Sequence, residues 1–144
     1  MPDAAIGADV MVGFPGESED EFEQTRAFIE RLPFTYLHVF TYSSRPGTPS
    51  AAMPDQVPVQ VAREHNRILR ELAARKKRMF MGSFVGREVE AITLTHFDDG
   101  YTEALTDNYM KLRLKDRHAS NLAIRGRIHG IEGDSLVGVL QRGL

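Results

Sequence analysis

The pattern of the chain changes once, around Gly82 and Gly86, and that change limits what it can fold into. Before it, apolar residues fall at strand and helix spacing in turn. After it, only short alternating segments follow, divided by Asp, Asn and Gly turns. At 144 residues the chain has room for one ordinary domain or two small ones. An apolar content of 42% and a charged content of 26% are those of a folded protein rather than a disordered tail. No apolar run approaches the roughly 20 residues that a bilayer span needs. The start, Met1-Pro2-Asp3-Ala4, has neither a basic nor an apolar leader region. A cytoplasmic protein without a membrane partner is the expectation. The chain has no cysteine, which removes disulfides and thiolate metal sites.

In the first part, the apolar run from Ala8 to Val12 reads as a buried strand closed by Gly13-Phe14-Pro15-Gly16. Ser18 and Glu21 have capping-box spacing and predict a helix start. Phe22, Thr25, Phe28, Ile29 and Leu32 share one side of that helix, which Pro33 stops. Residues 36–42 are aromatic and β-branched and read as a second strand. Strand, helix, strand is a βαβ unit with parallel strands. A proline-rich loop over residues 43–58 leads to a helix that Pro58 is placed to open and that runs to about Met81. Its apolar stripe is expected to be Val61, Ile68, Leu69, Leu72 and Met79.

Net charge is −2, but the charges are segregated. Up to Glu30 there are eight acids against Arg26 alone; residues 61–81 hold seven bases against Glu64 and Glu71. The basic helix is equally well described as a solvated face or as a contact for an RNA backbone. The five histidines show no metal-ligand spacing, and structural or surface roles are expected for each. Glu19, Asp20 and Glu21 read as charge complementing a helix start.

After Gly86, five short strands at this spacing suggest a small barrel. In residues 109–115, alternation puts Tyr109, Lys111, Arg113 and Lys115 on one face and Met110, Leu112 and Leu114 on the other. Residues 122–129 repeat the device, with Leu122, Ile124 and Ile128 inward and Arg125, Arg127 and His129 outward. If those two strands are neighbours, one face gathers cations around a tyrosine. That is how oligonucleotide-binding barrels neutralise phosphates and stack bases. An amphipathic sheet with a basic wet side is the plainer description.

The loop Gly13-Phe14-Pro15-Gly16-Glu17 ends a strand and opens a capped helix, where glycines let a ligand approach backbone and a helix start offers amides. An ordinary βα turn has the same local chemistry. In combination the motifs say more. Val12-Gly13-Phe14-Pro15-Gly16-Glu17-Ser18, the strand Tyr36-Leu37-His38-Val39-Phe40-Thr41-Tyr42, then Ser43-Ser44-Arg45-Pro46-Gly47-Thr48-Pro49 and Met53-Pro54-Asp55-Gln56-Val57-Pro58 follow in close order. The series resembles the latter part of radical S-adenosylmethionine tRNA methylthiotransferases. The stretch from Gly100 to Tyr109 is similar to the TRAM domain, an RNA-binding barrel that ends many such enzymes.

That resemblance implies a fold of α/β plus all-β class. Residues 1–57 would be the end of a radical-SAM (βα) barrel, 58–81 a basic linker helix, and 82–144 an OB-like five-stranded barrel of TRAM type. It implies that Gly13, Phe14, Pro15, Gly16 and Glu17, with His38, Phe40 and Tyr42, line the S-adenosylmethionine pocket. Arg45, Pro46, Gly47 and Thr48 would form a loop near cofactor or substrate. Tyr109, Lys111, Arg113, Lys115, Arg125 and Arg127 would hold tRNA. The implied activity is methylthiolation of a modified adenosine at tRNA position 37, with Leu37-His38-Val39-Phe40 and residues 53–58 favouring the N6-threonylcarbamoyl branch. The family's [4Fe-4S] clusters need cysteines this chain lacks, so an upstream cluster-bearing part of the same enzyme is the expected partner and the isolated chain is expected to be inactive. A non-catalytic RNA-binding module and a ribosomal-protein methylthiotransferase fragment are the alternatives.

Overall fold

A computed structural model describes residues 1–141. Its elements are β1 (Gly7–Val12), α1 (Glu19–Arg31), β2 (Tyr36–Thr41), a 3-10 turn (Pro49–Ala52), α2 (Val59–Gly82), β3 (Glu88–Asp98), β4 (Tyr101–Thr106), β5 (Lys111–Lys115), β6 (Ala123–Glu132) and β7 (Ser135–Leu140). Two compact units are present: Ala5–Lys77, and Met1–Ala4 together with the chain from Arg78 onward. The boundary falls inside α2, after Lys77. Residues 142–144 of the expected barrel module lie outside the described residues. Among the described residues, no helix is long and apolar enough to cross a membrane.

In the first unit, β1 and β2 pair in parallel, Asp9 opposite His38 and Met11 opposite Phe40. Parallel pairing follows from the α1 crossover between them. The helix starts where its sequence says it should: Ser18 Oγ accepts the Glu21 amide while Glu21 returns a carboxylate to the Ser18 amide. The core joins Val12, Phe22, Ile29, Leu37, Leu69 and Leu72. Phe28, expected inside, is 52% exposed. The stripe of α2 also differs from expectation. Ala62, His65, Leu69 and Leu72 are buried, whereas Val61 and Met79 are exposed. Spacings of three and four keep the buried four on one line; Val61 lies a residue off it. Past Lys77 the helix buries Met81 in the core of the second unit instead. Pro58 stands just before the helix, where its carbonyl accepts the Ala62 amide.

Lys76 donates to the carbonyls of Glu30 (2.9 Å) and Leu32 (2.8 Å), closing the end of α1, whose last carbonyls lack helical partners. Arg67 pairs with Glu64 and Glu71 on its own helix. Part of the basic helix is therefore neutralised locally or spent on structure.

The second unit is a closed five-stranded barrel in the order β3-β4-β5-β7-β6, all antiparallel except β5 with β7. This is the OB-like arrangement. Asp99 and Gly100, both at positive φ, make the two-residue β3–β4 hairpin turn. Met81, Phe84, Ala104, Met110, Leu112, Leu114, Ile128 and Leu136 fill the interior. Three buried threonines tie loops to the barrel ends. Thr102, for example, donates to the Asp116 carbonyl and accepts the His118 amide, each at 2.9 Å.

Candidate functional site

In sheets of parallel strands, ligands meet the carboxyl ends, because loops there are free to vary around a fixed frame. At that end of β1 and β2 stands the loop of residues 13–17. Gly13 (φ +74°) and Gly16 (φ +91°) both take left-handed backbone. The reasons differ. A Cβ on Gly13 would lie 2.6 Å from Ala62 Cβ, so the glycine admits α2; a Cβ on Gly16 would meet nothing within 4 Å. Three of the loop's amides are already used inside the protein. Gly13 donates to Glu17 Oε1, Gly16 to the Asp55 carbonyl and Glu17 to the Phe14 carbonyl, each at 2.9 Å. The loop thus presents side chains and open space at Gly16 rather than a row of free amides. Pro15 is buried beneath it.

Phe14, 41% exposed, sets its ring edge-on against Tyr42, centroids 5.3 Å apart. Tyr42 is brought there by its amide, which continues the ladder to the Val12 carbonyl at 2.8 Å. Its hydroxyl is buried and has no hydrogen-bond partner among the described residues. Burying a hydroxyl in that way is costly unless a partner arrives. One face of the ribbon packs on the helices, while the other exposes Met11, Tyr36, His38 and Phe40. His38 Nδ1 lies 3.5 Å from Asp9 Oδ1, and its ring is 5.6 Å from Phe40. Exposed rings, an orphaned hydroxyl and an open glycine fit an amphipathic ligand carrying an aromatic base, as S-adenosylmethionine is. They do not fit an iron–sulfur cluster, for which the chain has no thiolate. No group of His, Asp and Glu among the described residues could hold a metal ion either.

Arg45, Pro46, Gly47 and Thr48 form a tight turn. The Thr48 amide and hydroxyl both donate to the Arg45 carbonyl, and Gly47 has φ +82°. Proline and then glycine in the middle are the type II signature. Arg45 is exposed.

His65 was not recognised from the sequence as a site residue. It is 2% exposed and lies flat on Phe22, centroids 3.6 Å apart and planes 2° apart. Its Nδ1 is 2.9 Å from Glu17 Oε1 and its Nε2 3.1 Å from Glu19 Oε2. Glu19, expected only to complement the helix start, is therefore also a partner of His65. The available signal was helical spacing, since His65 falls on the line of Ala62, Leu69 and Leu72.

On the barrel, Lys111, Arg113 and Lys115 do lie opposite Leu112 and Leu114, which are fully buried. Tyr109 is not in the strand. It occupies the turn before it at φ +63°, 82% exposed. Leu122 precedes β6 and is exposed, with Gly126 buried between Ile124 and Ile128. The two cationic strands are not neighbours, because β7 runs between them. Acids accompany the cations: Lys111 with Asp134 (3.3 Å), Arg113 with Glu132 (2.8 Å), Arg125 with Glu90 (3.0 Å) and Arg127 with Glu88 (3.1 Å). Arg113 also lies over Tyr101, 4.4 Å from the ring centroid. Lys115 has no such pairing among the described residues.

No family model matches the chain. Curated relatives do. Over 112 residues it is 37% identical to threonylcarbamoyladenosine tRNA methylthiotransferase MtaB of Aquifex aeolicus, covering 78% of this chain and 26% of that protein. Over 92 residues it is 48% identical to the tRNA-2-methylthio-N(6)-dimethylallyladenosine synthase of Thermobifida fusca, covering 64% and 19%. The Bacillus subtilis protein named as MtaB is 40% identical over 119 residues, covering 80% and 26%. The chain spans about a quarter or less of the length of these relatives.

Proposed function

Since this chain belongs to the tRNA methylthiotransferase family, we propose that it is the C-terminal part of such an enzyme, joining one wall of an S-adenosylmethionine pocket to an RNA-holding barrel. Gly13, Phe14, Pro15, Gly16 and Glu17, with His38, Phe40 and Tyr42, flank the cofactor. Arg45, Pro46, Gly47 and Thr48 shape the loop beside it. Tyr109, Lys111, Arg113, Lys115, Arg125 and Arg127 contact tRNA. When bound, S-adenosylmethionine supplies the radical and methyl chemistry. What this chain contributes is placement: rings against which a base rests, and a face that excludes water.

The observation that carries the reading is the contact of the Phe14 and Tyr42 rings at the carboxyl ends of two parallel strands, where the Tyr42 hydroxyl has no partner among the described residues. The bare face of the same ribbon supports an upstream partner, since parallel sheets are ordinarily covered on both sides. That partner brings the cluster cysteines, and the chain by itself does not turn over. The substrate is adenosine 37 carrying the N6-threonylcarbamoyl group, favoured by Leu37-His38-Val39-Phe40 and by residues 53–58.

The test is nucleoside analysis of tRNA from cells in which the locus is deleted and then restored. Loss and return of the 2-methylthio group on threonylcarbamoyladenosine supports the reading. Loss on dimethylallyladenosine moves the enzyme to the other branch, and no change on either sinks the proposal.

A further inference from the structure

A buried histidine stands between two carboxylates behind the loop of residues 13–17. His65 projects from α2 into the first unit's core and is sandwiched flat against Phe22. A plain core position would be filled as well by a phenylalanine or leucine, without a polar ring to satisfy. Here both ring nitrogens have partners, and both partners come from the other side of the loop: Glu17 ends it and Glu19 opens α1. A carboxylate accepts, so the contact with Glu17 is made by a proton on Nδ1. Glu17 Oε1 is shared, since it also accepts the Gly13 amide. The contacts therefore run from α2 through His65 and Glu17 to the backbone of Gly13, where the loop leaves β1. The side chain of Glu17 is 15% exposed, so its charge is held near the interior by these two donors.

We propose that His65 is the positioning residue of the cofactor loop: through Glu17 and Glu19 it locks residues 13–17 into the shape that receives S-adenosylmethionine. This rests on the reading of that loop as a cofactor wall. His65 itself touches no reacting atom. Its effect is to hold the loop ready, so that binding does not have to order it.

His65→Phe separates the lock from mere packing, because it keeps an aromatic ring on Phe22 and removes both ring nitrogens. In the 144-residue chain, the Gly13 amide of this variant should exchange with solvent about tenfold faster or more, with Leu69 and Leu112 amides unchanged. His65→Gln, which restores one donor, should recover part of the protection. Unchanged Gly13 exchange in His65→Phe overturns the proposal. If His65→Phe loses Leu69 protection as well, the ring nitrogens of the unaltered chain decide. A slowly exchanging proton on Nδ1 supports the lock, and a bare Nδ1 overturns it.

The cofactor arm is read separately, by titrating S-adenosylmethionine into the enzyme assembled with its cluster-bearing part. Weaker binding by about tenfold in His65→Phe supports the positioning role. Unchanged affinity overturns that role for the cofactor even if the loop has loosened. No binding by the unaltered enzyme removes the cofactor reading itself while leaving the exchange result to stand.

Discussion

Gly13 and Ala62 approach so closely that a methyl group on the glycine would stand 2.6 Å from the alanine side chain. A loop at the end of β1 and the first turns of α2 are thereby fitted to one another. Gly13→Ala meets both that clash and an unfavourable φ of +74°. It should destabilise the first unit by about 2 kcal/mol or more, read by urea denaturation. The companion change Gly16→Ala meets the backbone strain without the clash and should cost less.

The start of α1 gives a prediction with a pH sign. Ser18→Ala should cost about 1 kcal/mol near neutral pH, measured on the same unfolding transition. The Ser18 backbone amide, and next its hydroxyl, hold the Glu21 carboxyl below its ordinary value of 4.5. A depressed carboxylate stabilises the fold above its unfolded value and loses that contribution as pH falls through the folded one. The gap between the original chain and Ser18→Ala should therefore be full above pH 5 and narrow in more acid solution.

Thr102 tests how the barrel holds its loops. Replacing it by valine keeps the shape but leaves the Asp116 carbonyl and the His118 amide without their partner. The expected loss is about 1–3 kcal/mol, with faster amide exchange over residues 116–121. Unchanged stability would mean the hydroxyl is dispensable.

Acid partners on the barrel give the RNA proposal a two-sided test. Arg125→Ala should weaken tRNA binding and lower the salt slope by about 1 if the guanidinium holds a phosphate. Glu90→Gln frees Arg125 from its exposed pair and should tighten binding by about twofold or more at low salt. If both variants bind as the original does, Arg125 is not at the interface.

Local features were legible in the sequence. Ser18 and Glu21 give the helix start from spacing alone, and the alternation around Leu112 and Leu114 gives the inward face of β5. Relations between distant segments were not. Nothing in residues 109–129 says that β7 will enter between β5 and β6, since the parallel β5–β7 pair is made by a strand that comes later. Lys76 reads as one more cation in a basic helix until its target, the end of α1, stands beside it. His65 falls by helical spacing on the buried line of Ala62, Leu69 and Leu72, which marks a core position and nothing more. Its meaning comes from Glu17 and Glu19, more than 40 residues earlier.

Among the described residues the ribbon of β1 and β2 has only two members, and so it has two outer rims whose amides and carbonyls are offered to whatever extended chain comes near. With Met11, Tyr36 and Phe40 open on one side, such rims are templates for growth. Concentrated without a covering partner, the polypeptide should self-associate through this ribbon, and a lysine placed at Met11 or Phe40 is the change expected to keep it dispersed.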